Sequence, residues 1–119
     1  MKLINTSIEE EECIALVQYL DLLALSGRVR LYTHVPNETF TKSWSQKAKN
    51  KRMGVRKGFP DYVIAGRNKA IVIEMKRVSG GRVSPEQKAW HEELNKIGLP
   101  AFICNGFDEA RAVIDRELK

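Results

Sequence analysis

The stretch from Pro60 to Lys76 constrains this chain most, because its residues specify a β-hairpin whose register follows from counting. Two β-rich runs, Tyr62 to Ala65 and Ala70 to Met75, flank a Gly66-Arg67-Asn68-Lys69 turn, the composition of a hairpin connection. A turn centred between Arg67 and Asn68 pairs Ala65 with Ala70, Ile64 with Ile71 and Asp61 with Glu74. Opposed residues share a face, and the two-residue period adds Lys76 to it. Local geometry alone therefore gathers two carboxylates and an amine.

Like charges facing each other weaken a sheet, and the surrounding Val, Ile and Ala residues imply burial, so this pair needs compensation. A hard divalent cation provides it: Mg2+ takes one or two carboxylates, keeps several waters and binds substrate phosphate. The same D…ExK spacing arises by chance as a strand end with ordinary solvated charges. Here Asp61 opens one predicted strand and Glu74 nearly ends its partner, which favours the metal reading.

With 119 residues the chain is expected to form one domain, residues 1–119, around a single moderate core. A formal charge of +5 points to an anionic partner. Cys13 and Cys104 form no CxxC pair and sit in apolar settings, as buried free thiols do in a reducing compartment. His34 and His91 are too dispersed for a zinc site. No apolar run has the length of a membrane span and no signal-peptide pattern opens the chain, so a cytoplasmic protein without a membrane partner is expected.

Ser7 is a candidate N-cap for a helix whose first turn, Glu9 to Glu12, suits the positive helix end. Cys13, Leu16, Val17, Leu20 and Leu23 form its apolar stripe, and Gly27 can end it. One turn back from Cys13 lie Glu9 and Glu10, one of which should follow the core face. Arg28 to Val35 reads as a strand. Between Thr41 and Phe59 come Lys42, Lys47, Lys49, Lys51, Arg52, Arg56 and Lys57 without one acid. Such a run is usually a solvated basic helix. Its place just before the hairpin also suits a polyanion contact that delivers phosphate to the carboxylates, with Trp44 stacking on a base or packing on the body.

After the Gly80-Gly81 turn, Ser84 is an N-cap, Pro85 the first helical residue and Gln87 the capping-box partner; Gly98 and Pro100 end the helix. Gln87, Trp90, Leu94 and Ile97 share a stripe toward the sheet. Gln87 can close the cap, or hydrogen-bond a water or phosphate near Lys76. Ala101 to Cys104 reads as a short buried strand, and a final helix from about Asp108 turns Ala110, Val113 and Ile114 inward. The closing βαβ unit predicts a last strand parallel to the Glu74 strand, with a right-handed crossover.

Lys57-Gly58-Phe59-Pro60-Asp61, Ile73-Glu74-Met75-Lys76 and Gly80-Gly81-Arg82-Val83-Ser84-Pro85-Glu86-Gln87, with Trp90 following, together resemble a VRR-NUC domain of the PD-(D/E)XK nuclease superfamily. The resemblance runs from the first helix to about Ala110. It implies an α/β, restriction-endonuclease-like αβββαβ core: a mixed four-stranded sheet flanked by helices. It also implies a Mg2+ or Mn2+ site made by Asp61, Glu74 and the main-chain carbonyl of Met75, with Lys76 and Gln87 catalytic. The family's first-helix acid, four residues before a frequent glutamine, falls on Glu9; Glu10 and then Glu12 are its rivals, and Cys13 stands where the glutamine is expected. His34-Val35-Pro36-Asn37-Glu38 resembles the segment leaving the family's first strand, and is equally an ordinary turn.

Small, free-standing phage-type members of this family are often homodimers associated with branched DNA, including four-way (Holliday) junctions. The resemblance thus implies a metal-dependent deoxyribonuclease for branched DNA. Flap or nonspecific cleavage is the alternative substrate reading. A catalytically silent nucleic-acid-binding module, or an unrelated α/β binding protein, is the alternative of another class.

Overall fold

The computed structural model of the chain describes residues 8–36 and 43–119. Ser7, Asn37 and Lys42 lie outside them. The elements run α1 (Ile8–Ser26), β1 (Leu31–His34), α2 (Trp44–Arg52), β2 (Tyr62–Ala65), β3 (Ala70–Lys76), α3 (Pro85–Lys96), β4 (Ala101–Asn105) and α4 (Phe107–Glu117). The sheet order is β1-β2-β3-β4. The first three strands are antiparallel to their neighbours, and β4 returns parallel to β3 after α3, as the closing βαβ pattern predicts.

The hairpin has the counted register: Ala65 pairs with Ala70, Ile64 with Ile71 and Tyr62 with Ile73, and Gly66 N–H donates to Lys69 O at 2.7 Å to close the turn. Alternation along β3 then splits the core in two. Ile71, Ile73 and Met75, fully buried, join Leu16, Leu20 and Leu23 of α1 and Ala110 and Ile114 of α4. On the other face Val72 meets only Leu94 and Ala101, with Phe59, Val63, Trp90 and Leu99 half-buried around them. That second core is small because the same face must also carry Glu74 and Lys76.

Three expectations are corrected and one open alternative is decided. β1 is shorter than Arg28 to Val35, and as an edge strand it leaves Leu31 74% exposed. The basic run forms the solvated helix expected of it, α2, of which no residue is buried, and Trp44, 84% exposed, does not pack on the body. Ile97 falls out of the α3 stripe because it is the C-cap residue, beyond the last helical turn. β4 is not wholly buried: it forms the other edge, where Phe102 and Ile103 are half-exposed.

Because Ile73 is completely enclosed between α1, α4 and the sheet, Ile73→Ala is expected to cost about 2–5 kcal/mol of stability. Leu31→Ala on the exposed edge should stay within about 0.5 kcal/mol of the parent protein. Urea denaturation of the two variants checks both.

Candidate active site

The site begins where the hairpin ladder stops. Gly66 and Lys69 exchange a main-chain bond, so by antiparallel alternation Tyr62–Ile73 is hydrogen-bonded, Asp61–Glu74 is a close non-bonded pair, and the next bonded pair would be Pro60–Met75. Pro60 has no N–H to donate, which leaves the Met75 carbonyl on the β2 side without its ladder partner. The Met75 N–H turns instead to Asp61 Oδ2, at 2.8 Å. Asp61 is fixed from the other side too, its main-chain oxygen accepting from Val35 N–H at 2.6 Å and contacting His34 Nδ1 at 3.0 Å.

Opposite Asp61 stands Glu74, only 3% exposed. Its Oε2 accepts from Gln87 Nε2 at 3.1 Å and lies 3.6 Å from Lys76 Nζ, while its buried Oε1 has no hydrogen-bond partner among the described residues. Burial first, and the charge of Asp61 second, push the Glu74 carboxyl up to about 8 against the opposing pull of Lys76. One nearby ammonium does not balance the carboxylate pair.

Gln87 closes the cap, one of the two readings the sequence left open, and its other end bonds Glu74. Its Oε1 accepts from Ser84 N–H at 3.0 Å and Ser84 Oγ accepts from Gln87 N–H at 3.1 Å, completing the capping box. That leaves the amide nitrogen to hold Glu74. The helix start thereby orients the sheet carboxylate.

These side chains open into a cavity of about 420 Å³ whose wall also includes Glu9, Lys57 and His34. Of the first-helix acids, Glu9 reaches this cavity. Glu12 is directed elsewhere, accepting from Phe107 N–H at 2.6 Å at the start of α4, and Glu10 is exposed. Cys13, one turn after Glu9, bonds Tyr62; its burial, with the charges of Asp61, Glu9 and Glu74, pushes the thiol up to about 11, so it stays neutral beneath the acids.

The basic run is divided. Lys57 lines the cavity and Arg56 an adjoining groove, whereas Lys47, Lys49, Lys51 and Arg52 lie on or at the end of exposed α2 and outside the cavity wall. His34 and Gly58 are among the wall residues to which the sequence reading gave no role in the site. His34 arrives through the β1–β2 pairing, and its place in His34-Val35-Pro36-Asn37-Glu38 was the available signal. Gly58 has φ 98°, and a Cβ there would come within 2.6 Å of the Glu86 carbonyl carbon, so only glycine lets this loop cross the first turn of α3. Its place within Lys57-Gly58-Phe59-Pro60-Asp61 was the available signal.

Burial of an ionisable Glu74 gives a pH signature. Raised from 4.5 to about 8, the folded carboxyl holds a proton that the unfolded chain releases, so its contribution is fully present below pH 4.5 and is lost as pH rises through about 8. Urea denaturation of the protein in a chelator should show stability falling over that window, and Glu74→Gln should flatten the fall.

Comparison with known proteins agrees with this architecture. None of the curated proteins matches the sequence. A solved structure described as a VRR_NUC domain protein superposes with a TM-score of 0.73, covering 95% of this chain and 89% of the other at 24% identity, which shows the shared fold. The family model for the VRR-NUC domain matches residues 2–108, a span that takes in α1, the whole sheet, the helix that caps onto Glu74 and every wall residue named above. Nearly the whole chain is thus accounted for by one nuclease domain type, and the protein belongs to the VRR-NUC family.

Proposed function

We propose that this protein is a divalent-metal-dependent deoxyribonuclease whose catalytic groups are Asp61, Glu74, Lys76 and Gln87, with Glu9 assisting. The observation that carries the reading is the Asp61–Glu74 pair, two opposed carboxylates of which Glu74 is buried with one oxygen unsatisfied among the described residues. A hard cation fits it. Among the described residues no three His, Cys, Asp or Glu side chains form a closed metal cluster, so the protein donors are two carboxylates, the Met75 carbonyl that Pro60 leaves without a ladder donor and, through water, Glu9. That sparse oxygen set suits Mg2+ or Mn2+, which keep waters of their own. When bound, the ion supplies Lewis-acid polarisation of the phosphate and lowers the pKa of an attacking water.

The chain's own groups do the rest. Gln87 holds Glu74 in one orientation, and the Met75 N–H does the same for Asp61. Lys76, on the same strand face and largely buried, stabilises negative charge building on the phosphate oxygens. The 3.6 Å ion pair with Glu74 Oε2 holds that ammonium at the cavity wall. Lys57 at the mouth and the α2 lysines attract the polyanion without reading sequence. The preference for branched DNA, and a homodimer that presents two sites to a four-way junction, follow from the resemblance set out above.

The test is cleavage of duplex, single-stranded, 5′-flap and four-way-junction DNA in Mg2+, Mn2+ or EDTA. Paired junction cuts are expected, abolished by EDTA and by Glu74→Ala, and reduced roughly 10²- to 10³-fold by Lys76→Ala. Cuts confined to flaps would replace the substrate and keep the chemistry. A folded protein that binds DNA but cuts none of these would be a silent binding module.

A further inference from the structure

Beside the cavity lies a second, shallower groove of about 580 Å³, lined by Arg56, Lys57, Glu86, Ala89 and Trp90. Lys57 and Glu86 belong to the walls of both, so the two spaces adjoin across one ridge. The ridge is held rigidly: Gly58 lies directly on the Glu86 main chain, and Trp90 Nε1 donates to Lys57 O at 2.9 Å. Glu86, Ala89 and Trp90 share one face of α3 by their i, i+3, i+4 spacing, while Gln87 points from the neighbouring face toward Glu74.

The groove therefore has an aromatic and apolar floor, two cationic groups at the rim and one acid on the ridge. Trp90 is half-buried, with its ring fixed by the Lys57 bond and by an edge-to-face contact with Phe59 at 5.3 Å. A preset ring gives up little freedom on stacking. Glu86, on the ridge between the two spaces, can accept from the exocyclic amine of a base, and the apolar floor with Trp90 suits the groove to that base. Arg56 adds a planar guanidinium that can cover a stacked ring.

We propose that a nucleobase next to the phosphate held in the cavity stacks in this groove against Trp90, making the site a reader of strand flexibility. A base inside an intact duplex is held in its own stack, whereas one at a branch or in a single strand is free to enter. The inference deepens the nuclease reading by naming how unpaired nucleotides are recognised.

The test uses the full chain and a single-stranded oligonucleotide carrying 5-iodouracil at one position at a time, irradiated in EDTA so that nothing is cut. The crosslinked peptide is then identified by mass. The expected crosslink falls on Trp90 at one position of the strand, and an abasic residue there weakens binding roughly tenfold, within the usual worth of one stacked base. Ala89→Leu, which fills the groove from an exposed helix position, should remove both effects with the circular dichroism spectrum unchanged. Crosslinking to Trp44 alone, or abasic positions that are all equivalent, would overturn the proposal. Because the readout is binding, cleavage without the Trp90 crosslink would sink the groove and keep the nuclease; the crosslink without cleavage would do the reverse.

Discussion

Everything near the site depends on two carboxylates facing each other across a hairpin that has no room for their charge. Asp61 and Glu74 are brought opposite by the register, and the ladder then ends at Pro60 before main-chain bonds can continue past them. Free of that ladder, the Met75 N–H secures Asp61. The price is a Glu74 carboxyl pushed upward by burial and by Asp61, with one oxygen that has no partner among the described residues. A fold selected for stability alone would place an apolar residue there.

The surrounding structure fixes these two groups rather than relieving them. The larger core, between the sheet and α1 with α4, anchors β3 through Ile71, Ile73 and Met75. Its partner face is left thin, and α3 meets it with a capping box whose spare amide bonds Glu74. Gly58 and Trp90 then tie the loop ahead of Asp61 onto the same helix. Sheet, helix and loop are therefore locked around a cavity that keeps Glu74 from moving away from Asp61.

What the sequence revealed follows the range of the interactions. The hairpin was legible because a four-residue turn sets its register, and the start of α3 because Ser84, Pro85 and Gln87 carry their own capping chemistry. Whether Gln87 capped or reached the site was not separable, since one side chain has ends for both. Glu9 and Glu12 looked alike as members of one acidic turn; the distinction is made by α4, whose first N–H groups draw Glu12 away. His34 enters through a pairing that spans α2, and Leu31 is exposed only because β1 has no neighbour on its far side. The basic run was visible as composition, but its division between α2 and the cavity mouth is a property of the folded loop.

The most direct measurement of the central claim is calorimetric titration of Mg2+ or Mn2+ into the protein at pH 7, in buffers of different ionisation enthalpy. If the buried pair is a cation site, binding should release protons, because burial and Asp61 push the Glu74 carboxyl upward, and Asp61→Asn with Glu74→Gln should abolish binding. Binding that displaces no proton, or that survives the double substitution, would contradict the account.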